Sequence, residues 1–437
     1  EIPLRLVGSE MCIRDRIDLA YGSNFNSGNT SISFLYNHYE RDPIQAKEDE
    51  RMGISDWRHF PEISQTKWDT TRFRRSSINS PYGQFDFVDS VRDFNFYNTN
   101  GLTDKSGEFE IFPNTDTKCL EDLNNSACIA SDTLTKRYNL NAERWVVSDL
   151  TRDNIQTKLV HNFRNGIDAF TEFSYYYSET NQNNSPSAAF SSSKLIVPAS
   201  NYWNPFGSKL LPDGSINPNR LSEDIIIGIP GGGLSIIMDN YRFVDIGPRQ
   251  VNVEKHTYRF LQGLRGSWKS WDWETAIFFS KAKSKDITSN RLSNSLVEQS
   301  LALSTPEAYN PFNGGGNYED YLLYSQDQTP SIDGSIKDAI IDVYRKGERE
   351  LKGWDFRITN LDFLEIRSGY ISLVAGAEYR EDSFKDDRDP RLDGTVLYKD
   401  KDGDTYPFVS DVMNSSPTPD GAGKRAVSYT HLRAHET

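Results

Sequence analysis

The sequence predicts an all-β, antiparallel fold in which amphipathic hairpins form the wall of a transmembrane β-barrel with long external connections. Three features of the 437 residues carry this expectation. Apolar and polar residues alternate at period two in stretches of about ten, paired across tight turns. The joins between strands are by turns very short and very long. No run approaches the ~18 apolar residues of a membrane-spanning helix, whereas barrel strands cross without any hydropathy peak.

The first pair is IDLAYGS, a turn at Asn26-Ser27-Gly28, and TSISFLYNHYER, with Ile32, Phe34, Tyr36 and His38 on one side. The clearest hairpin follows. NIQTKLVHNF sets Ile155, Thr157, Leu159, His161 and Phe163 against Asn154, Gln156, Lys158, Val160 and Asn162. After Arg164-Asn165-Gly166, GIDAFTEFSYYYS sets Ile167, Ala169, Thr171, Phe173, Tyr175 and Tyr177 against Asp168, Phe170, Glu172, Ser174, Tyr176 and Ser178. Asn-Gly is the strongest short hairpin signal. The unit recurs as HTYRFLQGLRGSW, Lys269-Ser270 and WDWETAIFFS, with Arg259, Arg265, Asp272 and Glu274 on the polar face. A last pair runs from about Trp354 to Glu365, turns at Arg367-Ser368-Gly369 and continues as YISLVAGAEYRED, with Glu378 and Arg380 on the polar side.

Between the hairpins lie Asp42–Asp153, Glu179–Lys255 and Lys283–Gly353, rich in Asn, Ser, Asp, Gly and Pro. Loops beyond about 12–15 residues are uncommon in compact soluble domains, but outer-membrane barrels pair short periplasmic turns with long extracellular loops. Phe163, Trp268, Trp271 and Trp273 cluster beside the short turns, where an interfacial aromatic girdle would lie. The apolar face would then meet lipid and the polar face a lumen. A secreted β-sandwich, with the apolar face as its core, satisfies the same alternation.

The composition fits either fold. Hydrophobic residues are 36%, below the usual ~45–50%, while aromatics at 12% argue against disorder. With 49 Lys and Arg against 63 Asp and Glu the net charge is −14, so no nucleic-acid partner is expected. Residues 1–16 and 426–437 resemble translated sequencing-adapter tails and are set aside from fold reasoning. That removes Cys12 and leaves Cys119 and Cys128, which close a short polar loop and predict a local disulfide in an oxidising compartment.

Six stretches taken together carry a family likeness. They are YERDPI (39–44), RYNLN (137–141), NPFG (204–207), DIGPR (245–249), YRFLQGLRGSWKSWDWE (258–274) and VAGAEYRED (374–382). In this order, and in these positions relative to the turns, the chain resembles the TonB-dependent outer-membrane receptors over nearly all of residues 17–425. The resemblance implies a barrel of about 22 strands, plugged by a separate N-terminal domain. It further implies location in the bacterial outer membrane and capture of a small nutrient ligand (siderophore, oligosaccharide or similar) by extracellular loops. Uptake would be energised by the TonB complex, which engages the plug region, and the receptor would be a monomer in lipid. No signal peptide, plug or energy-coupling segment is recognisable, and only about eight strands are. The expectation is therefore an internal barrel fragment with open edges. The competing reading is a secreted β-protein that binds carbohydrate without transport.

No enzyme and no cofactor is expected. His38, His59, His161 and His256 lie far apart, and G-x-S-x-G, P-loop and H-E-x-x-H patterns are missing. Gly231–Gly233 and Gly314–Gly316 lack the strand-and-helix setting of a nucleotide site and read as flexible loop. Asp400, Asp402 and Asp404 in DKDGD resemble the start of a calcium loop with Asp411 as its closing acid. Thr405, however, stands where the sharp turn wants glycine, and a solvated acidic turn fits as well. The residue types suited to ligand capture are Tyr202, Trp203 and Phe206 around NPFG, Tyr309 and Phe312 around the echoing YNPFN, and Arg242 and Arg249. Aromatic faces stack on sugars or heterocycles and Arg grips carboxylates, although the same residues could simply fold the loops.

Overall fold

The computed structural model describes residues 14–67, 69–88, 108–123, 127–131, 136–163, 165–189, 195–225, 228–314, 334–367 and 369–436. Cys12, Arg164, Ser368, Gly315 and Gly316 lie outside them. The chain is mostly antiparallel β, 57% strand and 9% helix, and no helix among the described residues is long and apolar enough to cross a membrane.

Nine strands form one sheet: β1 (Arg14–Phe25), β2 (Thr30–Arg41), β3 (Leu150–Asn162), β4 (Ile167–Asn184), β5 (Arg249–Trp268), β6 (Trp271–Leu292), β7 (Ile340–Ile366), β8 (Gly369–Arg388) and β9 (Gly421–Glu436). Every strand pairs antiparallel with its neighbours in sequence, from β1 at one edge to β9 at the other. Short turns join β1 to β2, β3 to β4, β5 to β6 and β7 to β8, and all long connections leave from the opposite end. The strands outrun the expected ten residues, reaching 20 in β5, 22 in β6 and 27 in β7. Beyond the apolar stretch the ladder continues through charged sequence such as Lys281–Asp286, where alternation in hydrophobicity no longer marks it. Residues 426–436, set aside above, continue β9 against β8 through backbone bonds, which any non-proline residue can make.

Register fixes two faces. Tyr21, Phe34, Thr157, Phe173, Phe260 and Phe279 lie directly opposite one another across β1 to β6, making a row on one face. The other face holds Gln156, Ser174 and Arg259 in register. On this second face aromatic rings lie across glycines of the next strand: Phe170 opposite Gly263, Phe278 opposite Gly353 and Phe384 opposite Gly423. A Cβ on Gly263 would sit 2.2 Å from Phe170 Cζ, so the glycine leaves the space the ring fills, a device that lets sheets bend. Gly263→Ala is expected to cost about 1–3 kcal/mol through overpacking, read as a lower unfolding midpoint, with Phe170→Leu partly restoring it.

The buried core is not on this sheet. It lies in the long connections, where Gln84–Phe87, Phe109–Pro113, Ala127–Ser131 and Ile236–Arg242 contribute to a second, seven-stranded sheet. Phe85, Phe109 and Ile236 are fully buried there, together with Val297 and Leu301 of helix α1 (Asn294–Leu301). Meanwhile Tyr21, Phe34, Phe173, Phe260 and Phe279 are 36–59% exposed, so nothing among the described residues covers the apolar face of the large sheet.

Candidate functional site

The two Asn-Pro-Phe motifs fold alike. Asn204 Oδ1 accepts from the Phe206 backbone N–H, and Asn310 Oδ1 from that of Phe312, each at 2.9 Å. Such an Asx turn aims the third residue back toward the asparagine's side of the chain. Here it drives both phenylalanines into one aromatic cluster. Phe206 packs on Phe87 and Phe109 with ring centroids 5.0 and 5.3 Å apart, and Phe312 on Phe85 at 5.0 Å. Three separate connections are thereby pinned together.

Burial corrects the ligand-capture expectation for Phe206, Tyr309, Phe312 and Arg242, whereas Tyr202, Trp203 and Arg249 are only partly buried. Phe206, Tyr309 and Phe312 are at most 2% exposed and present no face to a ligand. Tyr309 shares a hydroxyl–hydroxyl bond of 2.8 Å with Tyr241. Arg242 is buried over the Tyr138 ring and donates to the carbonyls of Asn79 and Pro186, and burial pushes its guanidinium down to about 10. Arg249 Nε donates to the Ser185 carbonyl at 2.9 Å. Trp203 packs against the core and donates from Nε1 to the Ala308 carbonyl, with the half-buried Tyr202 edge-on to it. Aromatic and Arg content alone does not separate a binding surface from an interior. Gly233 is likewise a close-approach position and no flexible linker: its φ is +75° and a Cβ there would meet the Gly207 backbone at 2.2 Å.

Cys119 and Cys128 are bonded, their Cα atoms 5.7 Å apart, within the span a disulfide requires. The DKDGD segment turns a hairpin between Leu397–Lys399 and Thr405–Ser410. Asp400 Oδ1 accepts from the Asp402 and Asp404 backbone and Oδ2 from the Tyr406 hydroxyl, while Asp402 pairs with Lys401. Burial raises the Asp400 carboxyl, but these donors outweigh it and hold it below its ordinary value. Its oxygens thus serve the turn, and Asp411 caps α1 through Ser293 and Ser295 instead of closing a calcium loop. Among the described residues, the group whose carboxylates do converge is Asp86, Glu108 and Asp239, with oxygens within 4.8 Å of one another. They come from three distant segments, a juxtaposition with no sequence signal.

Glu298 on α1 is 1% exposed, and its Oε1 accepts from Ile196 N and the Tyr398 hydroxyl, both at 3.0 Å. One carboxyl therefore ties α1 to two other connections. Burial raises its proton affinity above the ordinary 4.5. The folded state then holds the proton more tightly than the unfolded chain. This contribution is fully present below about 4.5 and is lost as pH rises through the raised value. Limited proteolysis of the 397–410 hairpin is expected to be several-fold slower at pH 5 than at pH 8, and Glu298→Gln should flatten that difference.

The polar face of the large sheet carries triads of two bases about one acid. Glu172 lies 3.3 Å from both Lys158 and Arg259. Asp382 pairs with Arg349 at 3.2 Å and Arg425 at 3.8 Å, and Asp386 with Arg345 at 2.8 Å and Arg388 at 2.9 Å. Within the first two triads the bases outnumber the acid, while in the third Asp286 stands opposite Arg345 across the ladder. The first lines a trough of about 660 Å³ with Ser33, Gln156 and Ser174. These groups can attract and hydrogen-bond a polar solute. Lys158, Glu172 and Arg259 already lay on the polar side of the alternating pattern, but their convergence needed the register. Comparison with known proteins returns no match to a family model, a curated protein or a solved structure.

Proposed function

We propose that this chain supplies wall strands and external loops of a TonB-dependent outer-membrane receptor, a monomer in lipid that takes up a small nutrient ligand and catalyses no reaction. The observation that carries the membrane part of this reading is the shape of the apolar face. On β4 the last aromatic before charged residues is Tyr177, on β5 Tyr258, on β6 Phe279, on β7 Trp354 and on β8 Tyr379. Tyr177 faces His256, Tyr258 faces Lys281, Phe279 faces Lys352, and Trp354 faces Tyr379. The boundary thus steps back six residues over four strand-to-strand steps. From β1 to β4 it stays nearly level, at Ile17, Tyr36, Ile155 and Tyr177. At the short-turn end the limit moves the same way, from Phe25 on β1 to Trp268 and Trp271 on β5 and β6.

The band is therefore slanted at roughly constant height. At ~3.4 Å per residue and ~4.8 Å per strand the slant is about 30° over the whole sheet and about 45° over its second half. Barrel strands tilt by ~35–45° to the membrane normal, and a flat bilayer imposes just such an oblique boundary on them. On β5 the band runs from Tyr258 to Trp268, which at that tilt is about 25 Å tall, the height of a barrel's lipid-facing belt. A water-soluble sandwich has no planar boundary to meet and would bury this face. The receptor family itself rests on the sequence likeness, and the inner triads and trough suit a polar path for solute.

Fractionation tests the reading. The expressed chain should partition with outer membranes and stay monodisperse only in detergent or lipid. A monodisperse chain in plain buffer would leave the secreted, non-transporting β-protein as the better description.

A further inference from the structure

The polar face of the large sheet changes sign along its height. Nearest the short turns, Asp168, Arg265, Glu274 and Arg357 stand in one row across β4 to β7, and their charges alternate and cancel. The next row is acidic: Asp355 faces Glu378 directly, and like charges so placed repel. After a row that holds Glu172 and Arg380, the balance reverses. On β4 to β9 the rows beyond set Lys255, Arg259, Arg345, Arg349, Arg388 and Arg425 against Asp286, Asp382 and Asp386. The chain as a whole carries −14, so this basic stretch is no sample of the average surface.

Within the basic stretch lies a hollow of about 280 Å³, floored by Ser280, Ala282 and Leu351 and rimmed by Arg349, Arg380, Arg425 and Asp382. The neighbouring acids do not use up its donors. Glu378, from the acidic row, holds Arg380 at 2.7 Å. Arg349 reaches Asp382 through Nε and Nη2 at 3.4 and 3.2 Å, whereas Arg425 comes only to 3.8 Å, beyond hydrogen-bond reach. A guanidinium has five N–H donors in a planar fork. Among the described residues, Arg349 thus keeps Nη1 and Arg425 its whole fork for a solute, and both side chains are exposed.

This profile selects the class of solute. An uncharged sugar gains nothing from it. An anion is attracted by the basic rows and repelled by the acidic row nearer the short turns, which seats it at the hollow and not along the whole wall. An acid group entering there competes with Asp382 for the arginines, so a second acid group is needed to outbid it. Arg259 stands directly opposite Ser280, across the floor from Arg349 and Arg425. We infer that the solute is a polyanion with at least two carboxylate or phosphate groups, one seated between Arg349 and Arg425 and another reaching Arg259. The inference rests on the receptor reading, because only within a closed wall is this face a path for solute.

The test uses the whole chain in two stages. Insertion into phosphatidylcholine nanodiscs is scored first, and failure there overturns the membrane reading itself. The inserted chain is then titrated with two matched pairs of probes, trimesate against its trimethyl ester and fructose bisphosphate against fructose. At least one charged probe should bind about tenfold more tightly than its neutral partner, and the stronger of the two identifies the acid group. The Arg349→Gln/Arg425→Gln variant should lose that preference. Asp382→Asn, which removes the competing charge, should instead bind the same probe several-fold more tightly. Arg265→Gln, in the balanced row, should leave binding unchanged. No preference for charge in the wild type, an undiminished preference in the double variant, or weaker binding by Asp382→Asn overturns the assignment of the hollow alone. An equal loss in Arg265→Gln would also overturn it, by showing that the charge of the wall acts diffusely.

Discussion

Phe206→Ala is expected to cost about 3–5 kcal/mol, the usual penalty for emptying a phenylalanine-sized space in a packed interior. Phe206 is fully buried and contacts rings from Gln84–Phe87 and Phe109–Pro113, both in the connection from β2 to β3, so the cavity opens between that connection and its own. The large sheet shares little of this core. The loss should therefore be local: the connections become protease-sensitive and lose hydrogen-exchange protection, while strand content by circular dichroism is kept. Phe312→Ala should behave alike, because its Asx turn delivers the ring to the same cluster. Uniform loss of protection across sheet and connections would refute the division into a wall and a separately cored cap.

The second expected effect separates lipid from water. Leu264 lies near the middle of the apolar band and is 39% exposed. Leu264→Arg should destabilise the chain folded in a bilayer by about 2–4 kcal/mol, the cost of a guanidinium near the midplane. Leu261→Arg, on the opposite, polar face, should stay within about 1 kcal/mol, because a guanidinium there stays among polar side chains and leaves the apolar band untouched. If the band faced water, Leu264→Arg would be an ordinary surface change, within about 0.5 kcal/mol. Unfolding titrations of both variants in vesicles decide the matter. Equal effects would remove the membrane reading.

The hairpins were legible because their signals are local. Asn165-Gly166 and Lys269-Ser270 mark turns, and alternation on either side assigns the faces without knowledge of the rest of the chain. Strand length was less legible. Past Phe279 the outward residues become lysines, the hydrophobic marker disappears, and Lys283–Leu292 read as loop although its backbone continues the ladder. The ligand-capture residues misled for a related reason. Asn-Pro-Phe specifies a turn, but whether its phenylalanine faces solvent or a core depends on what the other connections bring to it.

By itself, then, the sequence determined the eight hairpin strands, which face of each is apolar, and that short and long joins alternate, all consequences of backbone periodicity and turn chemistry. Tertiary structure decided everything that depends on distant segments meeting. The register turned a face into a slanted band, placed Lys158 and Arg259 about Glu172, set Arg349 and Arg425 about Asp382, and gathered Phe85, Phe206 and Phe312 into one core. Those contacts join residues tens to more than two hundred positions apart, and no local pattern encodes which of many possible partners will close the ladder or fill the cavity.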